Sequence, residues 1–388
     1  MKHSSLYRYI ALVLIVGSLV ACGASGASTT SRVPDRRTEI VAVPGCDGAW
    51  TDPADESATR TVARCAPGAP APQPLSQKAT VVVSVPYRME FAAPVLLADS
   101  LGEFAKENIA IQFVNVLSFD AMPQLAQGQL DVAVGGYEVA LFNAERIGLG
   151  VKAVMGNYFP PKAGDYSVAQ TGLWCRRDSF SNPSNPDPAE TQDLKWAQTT
   201  GKSGVAFYYS VSELSARVPG FDAERVEIVS VPASESATAL VNGAADCAIL
   251  IDPQWIDFAT PEYVLMATQT PGEPLGVTMF GKNLLRDSPA VGDAFTRAVV
   301  RTINTYLTGD YHSDPKVMEA LSVAINQPVS LIKRTPSLLF DWELRSETPR
   351  RMQELLIDLG VITGYEHPVP EDRVIDRSFT DHAVGRTN

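Results

Sequence analysis

The sequence predicts an α/β protein built as two similar lobes, and three observations carry that expectation. A valine-rich segment at 80–85, closed by Pro86, reads as a fully buried strand. It opens a β-α-β-α-β succession that ends near residue 134, and a second such succession runs over 204–251. Both place a Gly-x-x-Asp at the same point, Gly128 to Asp131 and Gly243 to Asp246, 115 positions apart. Alternating strands and helices imply a mainly parallel sheet covered by helices, and a repeated succession implies two related units.

Taken in order, the strand at 80–85 is followed by a helix over 92–107, with Val95, Leu96, Ala98, Leu101 and Phe104 at helical spacing. A strand over 109–116, a helix over 122–126 ended by Gly128, and a strand over 131–134 complete the first unit. The second unit reads as a strand over 204–207, a helix over 211–216, a strand over 226–231, a helix over 237–241 and a strand over 246–251. Strands at 263–269 and 275–280 follow, and helices then dominate. Ser288-Pro289 supplies an N-cap and first-turn proline for an apolar stripe from Val291 to Leu307, and an amphipathic helix over 346–359 stops at Gly360. This third region is no further copy of the repeat, so it must pack on one or both lobes.

The N-terminus has its own logic. Lys2 and Arg8 precede an eleven-residue apolar run from Ile10 to Val20, too short to span a bilayer. Leu19-Val20-Ala21-Cys22 resembles the lipobox of bacterial lipoproteins, in which the cysteine is acylated and becomes the first mature residue. That resemblance implies a signal peptide over 1–21 and a chain tethered through lipid on Cys22, on the extracytoplasmic face of the membrane. Gly, Ala, Ser and Thr dominate 23–31, as a flexible tether would. Pro67, Pro70, Pro72 and Pro74 then predict a stiff extended spacer. Residues 22–78 thus form a tether and a small extension, expected to be closed by a Cys46–Cys65 disulfide.

The full chain has 32 Lys+Arg against 44 Asp+Glu, a net charge of −12. Without Lys2 and Arg8 the balance is 30 against 44, or −14, which excludes nucleic acid as a natural partner. Four cysteines besides Cys22 allow three pairings in an oxidising space. Local pairing joins Cys46 with Cys65 and Cys175 with Cys247. No C-x-x-C or H-E-x-x-H is present, and His312, His367 and His382 are scattered, so no metal or cofactor is expected.

Enzyme signatures are missing as well: there is no G-x-S-x-G and no G-x-G-x-x-G. Gly201-Lys202-Ser203 imitates the end of a phosphate loop, but Trp196 stands where the first glycine is required, and the fragment is expected to precede a strand. What remains is a set of strand-to-helix turns. Open α/β sheets bind ligands beyond the carboxyl ends of their strands. The turns are 87–91, 118–120, 135–138, 208–212, 234–236 and 252–255. They nominate Tyr87, Arg88, Glu90, Ser118, Tyr137, Glu138, Tyr208, Tyr209, Ser210 and Asp252 as ligand-binding residues. Each also has a plain role available: Tyr87 as cover over the first helix, Ser118 as an N-cap, Arg88 as a solvated charge.

Several segments resemble the substrate-binding proteins of ABC importers, of the nitrate/sulfonate/taurine type whose relatives bind thiamine-pyrimidine precursors. They are Pro94 to Phe104 in the first helix, Gly128-x-x-Asp131, Gly148-x-Gly150-Val151-Lys152-Ala153-Val154, Asp193-Leu194-Lys195 with Gly201-Lys202, and Asp358-Leu359-Gly360-Val361-Ile362. The resemblance spans 80–383. It implies two Rossmann-like lobes of the type II periplasmic-binding-protein kind with a hinge of two connecting strands, near 166–172 and 270–276. Lobe 1 then occupies 79–165 and is completed by 272–388, and lobe 2 occupies 166–271. Within lobe 2 the strand at 173–176 would lie beside the strand at 246–251 and bond Cys175 to Cys247.

The implied function is capture of a small organic solute or oxoanion in the cleft between the lobes, and its delivery to an ABC permease by a monomeric, membrane-anchored protein that is not an enzyme. Two rivals share the fold: a pyrimidine- or menaquinone-precursor synthase, and a lipoprotein that senses its ligand. The signal peptide and Cys22 oppose the synthase. Glu138 and Asp252 depart from the pattern of small-anion binders and favour a ligand with a ring or a cationic group.

Overall fold

The computed structural model describes residues 39–40, 69–160, 164–270, 273–344 and 348–387. The signal peptide, Cys22, Cys46 and Cys65 lie outside the described residues. In chain order the first half contains β1 (Glu39–Ile40), β2 (Ala79–Ser84), α1 (Ala93–Ser100), β3 (Ile109–Val114), α2 (Ser118–Gln127), β4 (Val132–Gly135), α3 (Val139–Arg146), β5 (Lys152–Gly156) and β6 (Tyr158–Phe159). Then come β7 (Gly172–Arg176), α4 (Pro188–Thr191), β8 (Lys195–Gln198), α5 (Val205–Arg217), β9 (Glu227–Ser230), α6 (Ser236–Val241), β10 (Cys247–Leu250) and β11 (Tyr263–Ala267). The last part holds β12 (Val277–Phe280), α7 (Pro289–Tyr306), α8 (Pro315–Ile325), α9 (Val329–Ile332), β13 (Leu339–Phe340), α10 (Thr348–Asp358), α11 (Glu371–Val374), α12 (Ser378–Val384) and β14 (Arg386–Thr387).

Two five-stranded sheets form the body, in the orders β3-β2-β4-β12-β5 and β9-β8-β10-β7-β11. They are built alike. In each, three parallel strands are joined by a fourth that runs antiparallel to both its neighbours, β12 in the first and β7 in the second. That fourth strand is supplied by chain arriving from the other sheet, so the chain crosses between them twice, over 157–171 and 268–276. Two small ladders, β1 with β14 and β6 with β13, complete the pairing.

Two sequence expectations change. The predicted strand over 204–207 is the first turn of α5, and the strand of that unit is β8, nine residues upstream (204 against 195). Val205, Phe207, Tyr208 and Tyr209 are all buried, so this end of α5 lacks the polar face that marks a helix in sequence. The placement also overturns one reason for dismissing Gly201-Lys202-Ser203: it follows a strand and opens a helix, although Trp196 still fills the position of the missing glycine. The helix predicted over 92–107 ends at Ser100, because Gly102 takes a left-handed φ of 76° and turns the chain.

The helical third region packs on both lobes. α7 lies against α1 and α12, with Phe295 stacked on Phe104 at 4.8 Å between ring centroids, while α10 packs on α5 of the second lobe. Arg297 and Arg301 of α7 form buried ion pairs with Glu107 and Glu103 at 2.6–2.7 Å. The same guanidinium groups donate to the carbonyls of Gln73 and Pro70. The described part of the proline-rich spacer is therefore strapped to the first lobe and does not project as a free rod. Cys175 faces Cys247 across the β7–β10 ladder, with Cα atoms 4.0 Å apart, and the two are disulfide-bonded. Among the described residues no helix is long and apolar enough to cross a membrane.

Candidate functional site

A cavity of about 170 Å³ lies between the two sheets, against 10–15 Å³ needed by one water. Its walls come from the carboxyl ends of the parallel strands of both lobes. Pro86 and Tyr87 follow β2, Gly135 and Glu138 follow β4, Gln198 to Thr200 follow β8, and Ile251 follows β10. The two crossings contribute Thr171, Thr268 and Gln269. This is where an open α/β sheet is expected to hold a ligand, since strand ends and helix N-termini converge there.

Five of the ten nominated residues line this cavity: Tyr87, Ser118, Glu138, Tyr209 and Ser210. Ser118 is the first residue of α2, and its hydroxyl donates to Oε1 of Glu138 where an N-cap role was expected. Glu138 is buried, its Oε2 has no partner, and burial pushes its pKa up to about 7. The bond from Ser118 opposes that rise and the charge of Asp120 adds to it. Tyr209 and Ser210 reach the cavity from inside α5, not from a turn. The Tyr209 hydroxyl donates to the Pro274 carbonyl at 2.7 Å, and that of Ser210 to the Ala206 carbonyl at 2.9 Å.

The other five do not line it, each for a physical reason. Arg88 is exposed, stands over the Phe113 ring at 4.9 Å and reaches the Ala324 carbonyl. Glu90 is buried against His312, 2.6 Å from its Nε2, and accepts from the Tyr311 hydroxyl. The His312 pKa is raised, because bonding and charge from Glu90 outweigh burial. Tyr137 is fully buried beside Phe142, and burial raises its phenol well above the usual range. Tyr208 points to the ion pair of Arg351 with Glu273, and burial raises it too. Asp252 accepts from Thr171 Oγ1 at 2.5 Å and from Trp255 Nε1 at 2.8 Å, so both its oxygens are engaged. Burial, with the charge of Glu90 adding to it, brings Asp252 up to about 6. It holds Thr171 in the wall without lining the cavity itself.

Sequence reasoning missed Gln198, Thr199, Thr200, Thr171, Thr268 and Gln269. The first three follow from misplacing one strand: with β8 at 195–198, the strand-end rule would have named them. No metal-ligating cluster occurs among the described residues.

No protein-family model and no curated protein matches this chain. Solved structures do. The ligand-binding component of an ABC-type import system from Staphylococcus aureus, with zinc bound, is similar at 13% identity and TM-score 0.58, over 79% of this chain and 99% of that one. The alkanesulfonate-binding protein SsuA from Xanthomonas axonopodis pv. citri, bound to MOPS, follows at 14% and 0.55, over 79% and 98%. The periplasmic nitrate-binding protein NrtA from Synechocystis stands at 14% and 0.53, over 81% and 89%. At such identities the likeness is one of fold. The chain has the two-lobed α/β fold of these binding proteins, the first of which is a component of an ABC-type import system.

Proposed function

We propose that this chain is an extracytoplasmic solute-binding protein that captures a small organic molecule between its lobes and hands it to an ABC permease. The observation that carries the reading is a cavity whose walls come from strand ends of both lobes, with a buried carboxyl in its wall that has one oxygen without a partner. A buried charge without a partner lowers stability, so a fold keeps one where a ligand supplies the missing partner. Lobe 1 comprises 79–165 with 272–388 and lobe 2 comprises 166–271. The chain pivots near 166–172 and 270–276. The mature protein is a monomer that begins at Cys22 and is held to the membrane by acyl chains on that residue, with 22–78 as tether and extension.

Two measurements test this. Cys22→Ser should release the protein from the membrane fraction of its host or leave it as an uncleaved precursor. An unmodified, correctly cleaved wild-type N-terminus by intact mass would refute the anchor. For capture, a thermal-shift screen of small solutes should find ligands that stabilise wild type, by about 2.7 kcal/mol at 100 times Kd. Ala206→Phe, which fills the cavity from α5, should abolish the shift. Stabilisation that survives this change would place binding elsewhere.

A further inference from the structure

The cavity wall has an unequal supply of hydrogen-bonding groups. Three buried side-chain oxygens in its wall residues have no partner: Oε2 of Glu138, Oε1 of Gln198 and Oε1 of Gln269. The orientation of both amides is fixed, because Gln198 Nε2 donates to the Gly201 carbonyl at 2.9 Å and Gln269 Nε2 donates to the Glu273 carbonyl. Flipping either would set oxygen against oxygen. These three free groups are therefore acceptors.

Hydroxyl donors are half taken. Of ten hydroxyl-bearing wall residues, five are engaged within the protein: Ser118 to Glu138, Thr171 to Asp252, Tyr209 to Pro274, Ser210 to Ala206 and Thr268 to Gln269. The other five, Tyr87, Tyr158, Thr199, Thr200 and Ser236, can accept as readily as donate, so they do not oppose a donor-bearing ligand. No Lys, Arg or His occurs among the described residues of the wall. An oxoanion needs donors or a cation, and the carboxyl of Glu138 already stands at the first residue of α2, where an anion would gain most from the helix. An anion here would face a carboxylate and two amide oxygens, each a further unfavourable contact.

We propose that the cleft selects a donor-bearing ligand: a small molecule with an amine, amidine or amino-heterocycle N–H group on an apolar body, whose nitrogen pairs with Glu138 and whose further N–H groups reach Gln198 and Gln269. Oxoanions are rejected. The proposal rests on the reading of this cavity as a solute site and specifies the chemistry it takes. Apolar wall residues such as Phe91, Val205 and Ile249 suit the body of such a molecule.

The experiment is a matched panel at pH 8, read by thermal shift and then by calorimetry. One half holds benzamidine, benzylamine and 2-aminopyridine; the other holds benzoate, benzenesulfonate, methanesulfonate and nitrate. Stabilisation is expected from the first half only. Glu138→Gln, nearly the same shape, should weaken the best member of that half roughly 30-fold or more, as losing a charged partner in a buried pair does. Gln198→Ala should weaken it less. Binding by the acids to wild type would overturn the proposal and leave the solute-site reading standing. Donor ligands that bind Glu138→Gln as well as wild type would also overturn it. Silence from both halves would overturn the solute-site reading and the proposal together.

Discussion

Gly128 to Asp131 in the first lobe and Gly243 to Asp246 in the second make the same turn and the same bonds. Both glycines have φ of 75°. The Asp131 N–H donates to the Val82 carbonyl, and Asp131 Oδ2 accepts from the N–H of that same Val82, at 3.1 and 2.7 Å. Asp246 does this with Lys195, at 2.8 and 2.9 Å. The repeat is therefore a register lock between the first and third strands of each sheet. It sits at the amino end of the third strand of each unit, and none of its residues lines the cavity. An arrangement kept in both lobes serves the fold, and function is to be sought where the lobes differ.

They differ at two matched places. Val132 lies opposite Phe280 in the first sheet, and at the same step after the aspartate Cys247 lies opposite Cys175 in the second. Each third strand is followed by a buried acid, Glu138 after β4 and Asp252 after β10. Asp252 has both oxygens bonded, whereas Glu138 has one. The topological position is shared and the bonding is not: one acid braces the wall, and the other leaves an oxygen in the cavity wall without a partner.

The largest effect should come from the cysteine pair. Its loop spans 72 residues, and removing a native disulfide costs about 2–5 kcal/mol. Cys175→Val with Cys247→Val should lower unfolding stability in denaturant by that order, as reduction of the wild type should. If the double variant equals wild type, apolar pairing suffices in the second lobe as it does in the first, and the comparison breaks there.

Next come the two acids, both raised by burial, which substitution separates through their bonds. Glu138 stands at about 7 when folded against an ordinary value of 4.5, so the folded protein holds a proton that the unfolded chain has released. Its contribution is fully present below about pH 4.5 and lost as pH rises through about 7, on the order of 3 kcal/mol. Glu138→Gln removes that dependence. Relative to wild type it should be clearly more stable at pH 8 than at pH 5, measured without ligand. Greater stability together with lost binding marks a residue kept for function. Asp252→Ala should instead lower stability. It strands the Thr171 hydroxyl and Trp255 N–H and should cost about 1–3 kcal/mol. A pH-independent difference between Glu138→Gln and wild type would show that Glu138 titrates as an ordinary carboxylate.

Most of the fold was legible in the sequence because its strongest signals are local: the valine run of β2, the glycine stops and the repeated Gly-x-x-Asp. The exception is instructive. β8 shows only Trp196 and Ala197 as apolar residues, whereas the start of α5 is apolar on nearly every side. Periodicity fails when an element is buried all round, and that one slip hid Gln198, Thr199 and Thr200. The site was half legible. Strand ends pointed to turns that border the cavity, but which of two neighbouring side chains enters a cavity depends on packing from distant chain. Tyr208 and Tyr209 are adjacent, yet Arg351 and Glu273 draw the first away and Pro274 holds the second in the wall.

The last comparison tests the shared device itself. Asp131 is buried and accepts a further bond from Asn283 Nδ2 at 2.7 Å, while that amide also donates to the Gly128 carbonyl. Asp131→Ala therefore leaves both the Val82 N–H and the Asn283 amide short of an acceptor out of reach of water, and should cost about 2–3 kcal/mol. Asp246 is half-exposed, with Arg176 at 3.9 Å, so water can take its place on the Lys195 N–H. Asp246→Ala should cost about 1 kcal/mol or less. Denaturant midpoints of the two variants decide between two accounts of the lock. Unequal losses in this order mean that burial sets its worth. Equal losses mean that the main-chain pairing alone does, and that the two lobes are held in register in the same way despite their different surroundings.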